Sequence, residues 1–317
     1  MVFYLSPKDT FVSIGRYRQL SNLKVTDVFY DGFSENYDLV TLPSHPISIS
    51  CVFPASAVPI EAVGYDTIAT IGDALVTPHT WNVRFLLFYE DDTKNFIKMI
   101  NDVFHNAEPL VVFLFARKMD GSTYYHFVSP IAVVNALNIQ GESNRITLGI
   151  SLVSPYTSFG EFENPQFGVL IKQQSHNPIL IPRLFSFALE SNETDTHNVL
   201  QIPEIISFAI NIRRNVTWHY TTAGELDSYY ALRAPTKFTV GHEVVGGTFT
   251  MGLPFHYVDL QTVWLKRMYT ATLSIEGFMQ WIILFLKASA WRTELSGGGR
   301  PTLSVEWNAF AVEFIGD

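Results

Sequence analysis

From Trp81 to Ser154 the hydrophobic pattern runs at period two, then at the helical period, then at period two again. That succession limits the stretch to a β-rich unit carrying one helix. Trp81-Asn-Val-Arg-Phe-Leu-Leu-Phe-Tyr89 puts Trp81, Val83, Phe85, Leu87 and Tyr89 on one side and Arg84, Leu86 and Phe88 on the other, so both faces of this strand are at least partly covered. Asp91 or Asp92 then supplies a helix N-cap. Phe96, Ile100, Val103 and Phe104 form one apolar stripe before Pro109 ends the segment. Leu110–Ala116 is a nearly continuous apolar run suited to a strand covered on both sides. Asp120-Gly121 marks a hairpin, Tyr124–Val134 is the return strand, and Pro130 demands a bulge or an edge. After a turn at Gly141–Asn144, Arg145–Val153 aligns Ile146, Leu148, Ile150 and Leu152 on one face.

The same order returns later: a strand over Gly247–Leu253, a helix-like stretch over Val258–Tyr269, and strands over Thr270–Glu276, Trp281–Ala288 and Thr302–Phe314. One unit is used twice. The expected division is an N-terminal arm or strand over 1–45, a first β domain over 46–157, a linker over 158–200 and a second β domain over 201–317. Ile47–Phe53 and Glu204–Ile212 alternate and open the two domains. Ile179–Leu189 reads as an inter-domain strand. Thr236–Val240 is expected to pair with Val244–Met251, with Gly241 and Gly246-Gly247 as turns or bulges, and Tyr220–Tyr230 as a long hairpin tip.

Composition narrows the function. Charged residues make up 16% of the 317 and aromatic ones 14%, where a soluble domain usually carries about a quarter charged. This balance fits either apolar surface buried between subunits or a large well-packed β protein. The net charge of −9, from 21 basic and 30 acidic residues, does not support a strongly basic nucleic-acid groove. Cys51 is the single cysteine, so an intrachain disulfide and a cysteine-built zinc site are both excluded. No basic-then-apolar leader opens the sequence, so Sec export is not expected. The longest apolar runs fall far short of the roughly 20 residues that span a bilayer.

Motifs for chemistry are weak. Gly297-Gly298-Gly299-Arg300 lacks the spacing and the Lys-Ser/Thr ending of a phosphate-binding loop. His242, Glu243 and His256 do not match the metalloprotease spacing, and no nucleophile elbow is present. Glu306 and Glu313 are expected on the last strand, seven residues apart and so on opposite faces, and sequence alone does not set a carboxylate pair at the separation that glycoside hydrolysis needs. No catalytic, cofactor-binding or metal-ligating residue is expected, and no cofactor.

The order of elements resembles the tube fold of phage tails and related contractile injection machines. The resemblance rests on Phe53-Pro-Ala-Ser-Ala-Val-Pro-Ile60 followed by Thr80–Phe104, and again on Ile205–Ile212 and Val244–Met251. It covers residues 45–155 and 200–317, through element order and residue character and without a diagnostic motif. It implies a mainly β chain with few helices: two tandem tube-like β-barrel or sandwich domains, each with one amphipathic helix. It implies a virion tail protein, made in the host cytoplasm, whose copies join strand edges into a trimeric pseudo-sixfold or a hexameric ring. Further partners would be adjacent tail rings or baseplate proteins, with DNA passing an acidic lumen without specific binding and with no membrane. The hairpin residues Trp218, Tyr220, Tyr229 and Tyr230 would contact the next ring or subunit. A baseplate hub, tube initiator or terminator is the variant reading within this class. From a different class, a β-sandwich carbohydrate-binding or hydrolytic domain would use the same aromatics as a sugar platform.

Overall fold

The structure, a computed structural model, describes residues 10–17, 37–41, 46–52, 57–60, 70–73, 78–117, 123–155, 158–163, 177–192, 199–202, 204–219, 237–252, 267–294 and 301–316. These are mainly β, with one α-helix. The first half holds β1 (Thr10–Tyr17), β2 (Tyr37–Thr41), β3 (Pro46–Val52), β4 (Ala57–Ile60), β5 (Thr70–Asp73), β6 (His79–Leu86), α1 (Asp91–Asn106), β7 (Leu110–Arg117), β8 (Thr123–Glu142), β9 (Arg145–Ser154) and β10 (Ser158–Glu163). The second holds β11 (Ser186–Ser191), β12 (Val199–Ile202), β13 (Ile205–Arg213), β14 (Val216–His219), β15 (Lys237–Val240), β16 (Val244–Gly252), β17 (Tyr269–Ile275), β18 (Met279–Glu294), β19 (Thr302–Ala309) and β20 (Ala311–Gly316).

The halves repeat ladder for ladder. β1 pairs with β2 and β7, as β11 pairs with β12 and β17. β8 pairs with β7, β9 and β10, as β18 pairs with β17, β19 and β20. β6 joins β3 to β9, as β16 joins β13 to β19, and β4–β5 matches β14–β15. Three bulges recur at matching places: at Ile47 and Ile206, between Leu110 and Val112 and between Tyr269 and Ala271, and at Asn135 and Ser289. A bulge inserts one residue and shifts register, so three shared ones align the halves residue by residue.

β8 serves two sheets. Its first part lies between β7 and β10, and its second part between β9 and β13. The β8–β13 ladder joins the repeats, so β3-β6-β9-β8 continues directly into β13-β16-β19-β18. This arc has one buried apolar face, including Trp81, Val83, Phe85, Ile139, Ile210, Phe249 and Val305. Helix α1 packs on that face, with the Phe96 ring edge-on to Phe85 at 5.6 Å. The opposite face shows Ser48, Ser50, Asn82, Asn138, Asn211, Thr248, Ser304 and Asn308 at exposed or half-buried positions. Period-two alternation produces this division directly. One apolar core runs through both halves, from Val12 to Val312.

The repeats differ where one large ring fills the same space from opposite strands. In the first, Trp81 on β6 faces Leu152 on β9; in the second, Gly247 on β16 faces Trp307 on β19. The Trp81 indole N–H donates to Ser129 Oγ at 2.8 Å, whereas Trp307 Nε1 is buried without a partner.

Several expectations change. The N-cap of α1 is Glu90, which makes no side-chain capping bond; Asp91 and Asp92 sit in the first turn, where they face the positive end of the helix dipole. The strand expected over Tyr124–Val134 continues to Glu142, because the bulge at Asn135 shifts the alternation without ending the ladder. Thr236–Val240 does not pair with Val244–Met251: β15 pairs with β14, and β16 lies between β13 and β19. Gly246 and Gly247 are interior strand residues. A Cβ on Gly247 would lie 1.9 Å from the Ala209 carbonyl oxygen and 2.5 Å from the Trp307 ring, so close approach of neighbours, with no turn, requires glycine there. Tyr269, at the end of the expected second helix, begins β17. Asp120-Gly121, Val258–Lys266 and Ser296–Arg300 lie outside the described residues.

Candidate assembly interface

The joint between the repeats is the best-defined contact between two folded units in the chain. Phe208 faces Gly141, Ile210 faces Ile139, and Ile212 faces Leu137 on the buried side; Ala209 faces Gln140 and Asn211 faces Asn138 on the polar side. A Cβ on Gly141 would fall 2.4 Å from the Phe208 ring, so this ring uses the space glycine leaves. The Asn138 amide donates to Asn211 Oδ1 across the joint, and Arg84 donates to Thr147 Oγ1 at 3.1 Å and to Gln140.

Arg214, just past β13, binds the two repeats together. Its backbone N–H donates to the Asn135 carbonyl at 2.8 Å, its Nε to the Val134 carbonyl at 3.1 Å and its Nη1 to the Phe104 carbonyl at the C-terminus of α1. The guanidinium lies 4.1 Å from the Phe104 ring centroid. A cation is well placed there, because a helix C-terminus is the negative end of its dipole and the ring face attracts positive charge. Burial lowers the Arg214 pKa, opposed by the charge of Glu243.

His105, in the last turn of α1, lies 3.2 Å from Glu243 of the second repeat. The hydrogen bond to Glu243 raises the imidazole pKa above its ordinary value, against the opposing effect of burial. A raised folded-state pKa stabilises the fold below the unfolded value of about 6.5, and that stabilisation is lost as pH rises through the folded value. The urea midpoint of His105→Gln is therefore expected to fall further below that of the parent at about pH 6 than at about pH 8. An equal gap at both pH values would show that this pair does not titrate with folding.

At the other end of α1, Tyr89 stacks on Phe278 at 4.3 Å and Lys94 lies 5.9 Å from the same ring, while the α1 axis runs beside β20. On the first repeat's flank, Arg16 of β1 makes a bidentate pair with Glu108, both contacts at 2.6 Å. Residues 10–17 are thereby tied to the connection after α1.

Two strand edges of the arc have no ladder partner among the described residues: the outer edge of β3, and the edge of β18 over Lys287–Glu294 that faces away from β19. Apolar side chains are exposed there: Ile47 and Val52 on β3, and Trp291 on β18. Phe285 and Phe310 form a further exposed pair, edge-on at 6.1 Å, where β18 passes from β20 to β19; Phe285 has a positive φ of 53°. Cys51 is half-buried on the core side of β3, and burial pushes its thiol pKa up to about 12.

Of the residues expected at an inter-ring contact, Trp218 lies in β14 with its ring packed on Phe238 at 5.2 Å and its indole nitrogen buried without a partner. Tyr220, Tyr229 and Tyr230 lie outside the described residues. Glu306 and Glu313 do not share one strand as expected: they are exposed on β19 and β20, which pair with different stretches of β18. Among the described residues no three His, Cys, Asp or Glu side chains cluster as a metal site, and no helix is long and apolar enough to cross a membrane. Sequence reasoning missed Arg214 and the β18 edge. The one available signal was Trp291, a large aromatic three residues past Ala288, which the bulge at Ser289 returns to the core side.

No family model matches the sequence, and no curated protein matches it. Among solved structures, the chain is similar to the SPP1 tail tube at 8% identity and a TM-score of 0.28, over 42% of this chain and 77% of that one. It is also similar to a chain of the virion of a native gene transfer agent particle at 11% identity and a TM-score of 0.27, over 41% of this chain and 95% of that one. At scores this low, neither likeness carries weight for fold or activity.

Proposed function

We propose that the chain is a structural virion subunit that builds part of a phage-type tail tube or its baseplate end. The observation that carries this reading is the arc itself. Two four-stranded sets in the same order, β3-β6-β9-β8 and β13-β16-β19-β18, are joined edge to edge, and the arc ends in two strand edges. A chain that has already joined one copy of its unit to the next by strand pairing is built for continued pairing. Closing a ring removes the edges that an isolated sheet would leave open. Three chains would supply six units in a pseudo-sixfold ring; a hexamer is the other arrangement. Neighbouring rings or baseplate proteins would meet the ends of the tube, and Trp218, Tyr220, Tyr229 and Tyr230 are candidate contacts.

In such a ring the polar face opposite α1 would line the lumen. Its side chains are mostly hydroxyls and amides, and its charges have both signs: Arg145 pairs with Glu142 and Arg292 with Glu294. On this reading the described part of the lining would be polar with charges of both signs, where the resemblance implies an acidic lumen. Short neutral polar groups of this kind would let DNA pass, because tight nucleic-acid binding needs clustered cations.

The test is the solution mass of the purified protein, with negative-stain images of the same sample. Rings or stacked tubes with a central hole are expected, their symmetry separating trimer from hexamer. A monomer persisting at all concentrations would overturn the self-assembling reading.

A further inference from the structure

The matched bulges make each position in the first repeat correspond to one in the second. Counting from the bulges at Ile47 and Ile206, Ser50, Cys51 and Val52 correspond to Ala209, Ile210 and Asn211. Counting from those at Asn135 and Ser289, Leu137, Asn138, Ile139 and Gln140 correspond to Trp291, Arg292, Thr293 and Glu294. The second set of the first pairing meets the first set of the second inside the chain, at the joint between the repeats. There Ala209, Ile210 and Asn211 face Gln140, Ile139 and Asn138. Their counterparts, β3 and the end of β18, are the two edges of the arc that face no ladder among the described residues.

Burial marks the same correspondence. Leu137 is 4% exposed inside the joint, and its counterpart Trp291 is 44% exposed; Ile210 is fully buried, while Cys51 is half-exposed and its neighbour Val52 57% exposed. Positions buried by the joint within the chain are more exposed at its two ends, and they carry a tryptophan, a cysteine and a valine, which are residue types of cores and interfaces.

Resting on the assembly reading above, we infer that β18 of one copy pairs antiparallel with β3 of the next in the register of the internal joint, setting Glu294 opposite Ser50, Thr293 opposite Cys51 and Arg292 opposite Val52. The contact is heterologous: each copy offers a different edge to each neighbour, the head-to-tail relation that generates rings. The Arg292 stem covers the Val52 methyls while its guanidinium remains in water. Trp291 turns to the core side, where Leu137 sits in the internal joint. The copy-to-copy contact thus repeats the unit-to-unit contact, and all units in the ring become near-equivalent.

Cys51 provides the test, since directly opposed residues of an antiparallel pair hold their Cβ atoms about 4.5–5.5 Å apart, close to disulfide reach. Thr293→Cys is introduced into the full chain, which is then oxidised with copper phenanthroline and run on a non-reducing denaturing gel. A ladder of covalent oligomers is expected. It should be absent from Thr293→Cys combined with Cys51→Ser, and absent from Arg292→Cys, whose side chain leaves from the opposite face. Each variant is first checked for the mass of the unaltered assembly. Intact rings without cross-linking in Thr293→Cys, or with equal cross-linking in Arg292→Cys, would overturn this register and leave the assembly reading standing. Absence of any assembly in the unaltered protein would overturn both.

Discussion

Gly247→Val is expected to lose more than about 3 kcal/mol of folding stability, the upper range for overpacking a well-filled interior. The reason is local and geometric. The added Cβ would lie 1.9 Å from a backbone oxygen of β13 and 2.5 Å from the Trp307 ring. A flexible side chain could move aside; the Ala209 carbonyl belongs to the β13–β16 ladder and moves only if the strands part. The damage falls beside the joint, because β13 pairs with β16 on one edge and β8 on the other. Urea unfolding followed by far-ultraviolet circular dichroism measures it. Trp307→Phe provides the companion result: its indole nitrogen has no partner, so only ring volume is lost and the cost stays near about 1–2 kcal/mol. A Gly247→Val midpoint matching the parent would mean that Trp307 does not lie across β16.

Arg214→Met has the second largest expected effect, about 3 kcal/mol. Methionine keeps most of the apolar stem, so the loss comes from the carbonyls of Val134 and Phe104, left buried without the charged donor. Hydrogen bonds to a charged group are worth about 1.5–3 kcal/mol each, and an orphaned buried acceptor adds its desolvation. Arg214→Lys keeps the charge but not the fork that reaches two carbonyls, so it should recover less than half of the loss. The neighbouring Arg213 is exposed, and Arg213→Met should stay within about 0.5 kcal/mol of the parent. Equal effects at 213 and 214 would remove Arg214 from the joint.

Much of the element list was legible. The alternation of Trp81–Tyr89 and Arg145–Val153, the stripe of α1 and the repeated order all reflect side-chain period, which local residues encode. Pro130 correctly signalled the irregularity between β7 and β8. Strand partners were less legible. Thr236–Val240 and Val244–Met251 lie close in sequence, which favoured a hairpin, yet the chain uses β15 with β14 and inserts β16 into the arc. The role of Gly247 was hidden for the same reason: a ring arriving from β19 leaves no mark in the residues around the glycine.

By itself the sequence determined that this protein is mainly β, that it carries an amphipathic helix after its Trp81 strand, and that one pattern recurs. Period and composition settle these locally. The tertiary structure alone decided that β8 joins β13, that bulges at Asn135 and Ser289 put the two halves in register, and that β3 and β18 end the arc. The physical reason is that every strand carries the same backbone donors and acceptors. Which ladders form depends on how distant side chains fill the shared core, as Phe208 does over Gly141 and Trp307 over Gly247.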